Sequence, residues 1–177
     1  MFRSDRASVR NRRRSRQGSA AVEFALIGIP FFFMLFAVLE LGMVFVTDAM
    51  VESATIDTGR LIRTRQAQDS SMTAAQFKTS FCGRMAIFSA GCDARTSIDV
   101  RILTAFRNAN PPDPLANGTT FDASNLTYTN GQPGSLVLVR VWYKHTLFTP
   151  FLAQALSRLN DGTTLLTATT TFRNEPL

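Results

Sequence analysis

The chain has 177 residues, room for one modest domain plus a tail or an anchor. Its net charge is +6, but residues 1–18 hold seven arginines (Arg3, Arg6, Arg10, Arg12, Arg13, Arg14 and Arg16) against one acid, Asp5, which leaves twelve basic and twelve acidic side chains beyond them. The high isoelectric point therefore belongs to the leader, and the composition excludes a basic folded body.

A basic tail can neutralise phosphates. Here it abuts an apolar segment, where arginines hold that end in the cytoplasm by the positive-inside bias. The tail is read as a topology signal, and no nucleic-acid partner is expected. Phe24 to Leu39 is a run of 16 residues without a charge. Ser19 to Val46, with Glu23 and Glu40 as its charged positions, makes roughly 42 Å of helix against a hydrocarbon core of about 30 Å. A secretory signal peptide has a shorter apolar region that ends in a small-residue cleavage site. An uncleaved signal anchor stays open as the alternative.

Within the span, Glu23 stands at the membrane edge, where a carboxylate is costly and tends to have a partner. Gly28 and Pro30 predict a kink near residues 26–30, because proline removes a backbone hydrogen bond and crowds the preceding turn. Glu40 is expected at the far interface, exposed to headgroups.

The helical pattern continues beyond the span, predicting one long helix from about Ala20 to Arg65. Met43, Val46, Met50, Ala54, Leu61 and Ile62 form its apolar stripe, with Asp48, Glu52 and Arg63 away from it. Gly59 is a weak point, at about 1 kcal/mol relative to alanine. Gln66 to Met72 reads as a break in which Asp69, Ser70 and Ser71 offer capping oxygens. A second helix follows from about Thr73 to Phe88, with Phe77, Phe81, Met85 and Phe88 as its core stripe.

Cys82 and Cys92 are the two cysteines of the chain. Beyond a span they would face an oxidising periplasm, where paired cysteines persist as a disulfide; free thiols are the alternative. A metal site would need more ligands than these and the single histidine, His145. A redox pair would more typically be spaced Cys-x-x-Cys.

Ile98, Val100 and Ile102 alternate with Asp99 and Arg101, as in a half-buried strand. Residues 107–134 are rich in Asn, Pro and Gly and read as a long loop, with a short piece of structure near Leu126 to Thr129. The loop is a candidate contact surface. Leu136 to Thr146 is the strongest strand, with Val137, Val139, Val141 and Tyr143 on one face and Leu138, Arg140, Trp142 and Lys144 on the other. Pro150 opens a short helix to about Leu159, and Thr163 to Phe172 is a last strand. The fold class is α+β: a long amino-terminal transmembrane helix continuing into a domain with a small antiparallel sheet of about three strands and short helices.

No phosphate loop, zinc-ligand spacing, dinucleotide fingerprint or Gly-x-Ser-x-Gly elbow occurs. His145, at a strand end beside Lys144, reads as a surface side chain. The chain is expected not to be an enzyme and to need no cofactor.

The junction Gly18-Ser19-Ala20-Ala21-Val22-Glu23-Phe24 resembles a type IV prepilin processing site, and its Gly-x-x-x-x-Glu-Phe spacing resembles the Tad (Flp, type IVc) branch. The terminal Arg173-Asn174-Glu175-Pro176 is similar to the end of the last strand in TadE-like proteins. TadE-like and TadF-like minor pseudopilins share the amino-terminal pattern. The major Flp pilin is little more than the helix, so the added domain sets this chain apart from it.

The resemblance implies cleavage after Gly18, with Ser19 as the new terminus. Glu23, followed by Phe24, would contact a neighbouring subunit. It implies a basic cytoplasmic leader at 1–18, the transmembrane half of the helix at 19–46 and a periplasmic α+β pseudopilin domain at 47–177. Such a protein would be a single-pass inner-membrane component acting in priming or at the tip of a pilus. Its implied partners are other minor pseudopilins, the major pilin, the pilus platform membrane proteins and the prepilin peptidase. The alternative is an uncleaved, signal-anchored periplasmic binding module that uses the 107–134 loop.

Overall fold

The computed structural model describes residues 5–107, 110–115 and 118–176, and the side chains from residue 18 onward. The side chains of the leader arginines, and Asn108 and Asn117 of the long loop, lie outside the described residues. The chain forms two compact units, Met1–Leu41 and Gly42–Leu177.

Helix α1 runs from Asp5 to Arg63 and contains Pro30. It begins earlier than Ala20, because arginine is a good helix former and Gly18 alone costs only about 1 kcal/mol. It ends at Arg63, since Arg65 takes a left-handed φ of 67°. Between Phe24 and Val46 most large apolar side chains of α1 are exposed.

Within the second unit the buried face of α1 consists of Thr47, Val51, Ala54, Thr55, Thr58, Gly59 and Ile62. This corrects the expected stripe: Met43 and Val46 are exposed, and three threonines are buried instead. They tolerate burial because each hydroxyl donates to a carbonyl one turn back, Thr47 to Met43 (2.7 Å), Thr55 to Val51 (2.7 Å) and Thr58 to Ala54 (2.6 Å). Hydropathy alone assigns threonine to the wrong side.

The break after α1 holds a short helix, α2 (Gln66–Asp69). Helix α3 (Ala74–Arg84) is capped by Thr73 rather than by Asp69, Ser70 or Ser71. Gln76 N–H donates to Thr73 Oγ1 at 3.3 Å, and Thr73 N–H donates to Gln76 Oε1 at 2.8 Å, closing a capping box. The helix stops at Arg84, short of Phe88, because Ala86 adopts a φ of 48° and a 3-10 turn, Ala86–Phe88, follows. Phe77, Phe81 and Met85 are fully buried and Phe88 packs against them.

Helix α4 (Cys92–Arg95) leads into strand β1 (Thr96–Leu103). Strand β2 (Leu136–Thr146), helix α5 (Pro150–Leu156) and strand β3 (Thr163–Arg173) complete the unit. The three strands form an antiparallel sheet in the order β1-β2-β3. Val137, Val139, Val141 and Tyr143 of β2 join Val51, Ala54, Ile62, Phe77 and Phe81 in one core. Each such side chain contributes on the order of 1.5–3 kcal/mol by leaving water.

The opposite face of β2 is buried as well. Leu138, Arg140 and Trp142 are buried, and the Phe121 ring of the long loop meets Trp142 edge-on at 5.8 Å. The expected short piece of structure is present: Tyr128 forms a parallel bridge with Val100, with Val100 N–H donating to Thr127 O at 2.8 Å and Thr129 N–H to Val100 O at 2.9 Å.

Two further expectations are corrected. His145 is buried, with 8% of its surface exposed, because it lies on the central strand opposite Thr164. Glu40, expected to be exposed, is also only 8% exposed.

Candidate processing and subunit-contact site

Gly18, Ser19, Glu23 and Phe24 occupy consecutive turns of α1, and all four are exposed. The 3.6-residue period stacks positions four apart. Ser19 Oγ accordingly donates to Glu23 Oε1 at 3.1 Å. Phe24 is 73% exposed. A Cβ built on Gly18 meets nothing within 4 Å, so no packing in the chain requires glycine there. The Gly18–Ser19 peptide bond lies inside helix, so a protease acting there would need that turn to open. Glycine lowers the cost of opening by about 1 kcal/mol relative to alanine.

From Gly18 to Arg63 the helix is long and apolar enough to cross a membrane, and its most apolar stretch buries nothing within the chain. An apolar helical stretch with bare sides needs lipid or neighbouring helices around it.

Cys82 and Cys92 are joined in a disulfide with a Cα–Cα distance of 5.7 Å. The bond ties the end of α3 to the start of α4. Both residues are buried beside Thr96, whose hydroxyl donates to the Cys92 carbonyl at 2.8 Å. The surroundings are those of a structural bond, without an exposed thiol.

Two polar clusters hold the loop of the second unit, one around Asp99, which pattern did not single out, and one around the terminal motif already noted for its resemblance. Asp99 is fully buried, in register with Arg140 across β1 and β2. Its carboxylate accepts from Arg101 Nε (2.7 Å) and Nη2 (2.6 Å), from Arg140 Nε (3.1 Å) and Nη2 (2.8 Å), and from Thr127 N–H (2.9 Å). Burial pushes the Asp99 carboxyl upward, but the hydrogen bonds from Arg101, the Thr127 backbone and Arg140 outweigh it and hold the group below its ordinary value. Arg140 also stacks over the Trp142 ring at 4.8 Å. This cluster fastens residues 125–127 to the sheet, since Arg101 Nη2 also donates to Asn125 O at 2.9 Å.

The second cluster surrounds the terminal Arg173-Asn174-Glu175-Pro176. Asn174 is buried, and its Nδ2 donates to the carbonyls of Asn130 (2.9 Å) and Gln132 (3.2 Å). Gln68 Nε2 donates to the same Asn130 carbonyl at 2.7 Å. Glu175 N–H donates to Arg63 O at 3.0 Å, satisfying a carbonyl at the end of α1. The motif thus joins the last strand to the helix and the loop. The signal for Asp99 was weak, because a lone acid on a strand reads as solvent-facing.

Among the described residues no group of three or more His, Cys, Asp or Glu side chains could hold a metal ion.

Residues 18–60 match the family model described as TadE-like protein. No curated protein and no solved structure matches the chain. The match begins at Gly18 and runs through the apolar helix into the part of α1 that packs on the sheet. The segment that carries the junction and the candidate span is therefore similar to the TadE-like family.

Proposed function

We propose that the chain is a minor pilin or pseudopilin that takes part in priming or tip assembly of a Tad-type pilus after a prepilin peptidase cuts it behind Gly18. The observation that carries this reading is the start of the TadE-like match at residue 18, the residue at the basic-to-apolar boundary. The bare apolar helix supports it, because such a surface serves equally in lipid and against neighbouring subunits. The basic leader stays cytoplasmic by the positive-inside bias. The second unit then lies in the periplasm, and the Cys82–Cys92 bond accords with an oxidising compartment.

In this reading Ser19 becomes the mature amino terminus. Its new ammonium lies one helical turn from the Glu23 carboxylate, which also faces outward toward the terminus of a neighbour. Phe24 packs against that neighbour's helix. The partners are other minor pseudopilins, the major pilin, the platform membrane proteins and the peptidase. The protein is a structural component and uses no cofactor.

The test is amino-terminal sequencing and intact mass of the protein from its own membranes, with and without the peptidase. A form beginning at Ser19 that disappears without the peptidase is the expected result. An intact leader in both strains would favour an uncleaved, anchored binding module. Gly18→Ala separates the two readings further, because an anchor tolerates it and a processing site does not.

A further inference from the structure

The two edges of the sheet are finished differently. The outer edge of β1 is covered at Val100, where Thr127, Tyr128 and Thr129 pair with it. The outer edge of β3 has no such cover over most of its length. Even-numbered residues of β3 bond inward to β2, as the continuation of the ladder shows: Asn174 N–H donates to Ser135 O and Gly134 N–H to Asn174 O. Odd-numbered residues point their backbone groups outward. At Thr163 those groups are used, its carbonyl accepting from the N–H groups of Arg158 and Leu159 and its N–H donating to Asp161 Oδ1. At Leu165, Thr167, Thr169, Thr171 and Arg173 the outward N–H and C=O groups have no partner among the described residues.

Proteins ordinarily protect such an edge with lysine, proline, a bulge or a very short strand. β3 has none of these. It pairs with β2 without a bulge over eleven residues and carries no charge before Arg173. The open row is centred on Thr169, which is exposed, as are Thr167 and Arg173.

We propose that this edge is an interface with a second copy of the chain, through antiparallel β3–β3 pairing about Thr169. Self-complementarity points to a second copy. In that register Thr169 faces Thr169 of the second copy, Thr167 faces Thr171 and Leu165 faces Arg173, so every open backbone group finds a partner. Each facing pair exchanges both of its hydrogen bonds. No like charges oppose one another, and the threonine pairs favour cross-strand contact. A two-fold axis through Thr169 closes the assembly. The inference rests on the edge of β3 and does not depend on cleavage or on the role of Glu23.

The test uses the full chain in detergent and in native membranes, with single cysteines added to the disulfide-bonded protein. Facing residues of this kind have Cα atoms about 5.5 Å apart, within reach of a disulfide. Thr169→Cys is expected to give a reducible dimer at least tenfold above Thr120→Cys, an exposed loop control. A mixture of Thr167→Cys and Thr171→Cys chains should cross-link, whereas Thr167→Cys alone should not. Thr167→Pro removes an outward N–H and should abolish the Thr169→Cys dimer while circular dichroism stays unchanged. A Thr169→Cys yield equal to the control overturns the proposal. So does failure of the mixed pair, or a cross-linked product whose mass is not twice that of the chain.

Discussion

A Cβ placed on Gly59 would stand 3.1 Å from Phe172 Cε1 and 3.3 Å from Thr170 Cγ2. Gly59 is thus the point of close approach between α1 and β3, and the weak point in the helix is also a contact site. A large side chain there must displace the Phe172 ring. Gly59→Leu is expected to lose about 1–3 kcal/mol in urea denaturation, as overpacked sites do. Gly59→Ala should remain within about 1 kcal/mol of the parent, because the gain in helix propensity offsets a smaller displacement.

Asp99 with Arg101 and Arg140 gives a second expectation. Removing one member of a buried, hydrogen-bonded charge cluster leaves the others uncompensated, so Asp99→Asn should cost about 3–5 kcal/mol at neutral pH. The folded-state pKa lies below the ordinary 3.8, so the stability it contributes is present above that value and is lost as pH falls through the folded pKa. A stability profile in acid should show this loss in the parent and a flatter acid limb in Asp99→Asn. Equal acid limbs would remove the argument.

The two tyrosines should resist alkali. Burial pushes Tyr128 up to about 12, against a smaller opposing effect of the nearby Asn130 side chain. Burial also raises Tyr143, against the opposing charge of Arg95, whose guanidinium lies 5.3 Å above the ring. Both groups are raised in the folded state, so their contribution is complete below pH 10 and is lost as pH climbs through the folded values. Phenolate absorbance should therefore lag behind a denatured control at pH 10–11. Ordinary titration in the folded protein would contradict the burial of both rings.

The disulfide closes a short loop, and its loss should be modest. Replacing Cys82 and Cys92 together by alanine is expected to lower stability by roughly 2–3 kcal/mol. Reductant should destabilise the parent and leave the double variant unmoved. The measurement is guanidinium unfolding with and without dithiothreitol.

Several elements were legible because their signals are local. β2 matched its expected bounds, with Val137, Val139, Val141 and Tyr143 on the core face, since alternation at period two is written into consecutive residues. Phe77, Phe81 and Met85 were legible at the helical period for the same reason. Thr73-x-x-Gln76 is an equally local signal, since the reciprocal bonding of a capping box needs only the glutamine three residues on. The end of α3 at Arg84 was not legible, because the left-handed turn at Ala86 follows from the demands of the chain around it rather than from alanine itself.

By itself the sequence determined the apolar helix, the basic-to-apolar junction at Gly18, the α+β class and the identity of the two cysteines. These depend on composition and on periodicity along the chain. Only the tertiary structure decided that threonines line the buried face of α1 and that Asp99 meets Arg140. It also decided that Asn174 reaches Asn130, that His145 is buried, and that β3 keeps an open edge. Each of these depends on which distant backbone lies opposite a given side chain. A polar residue is stable inside only when a partner from another element satisfies it, and that partner is set by strand register and packing rather than by neighbours in sequence.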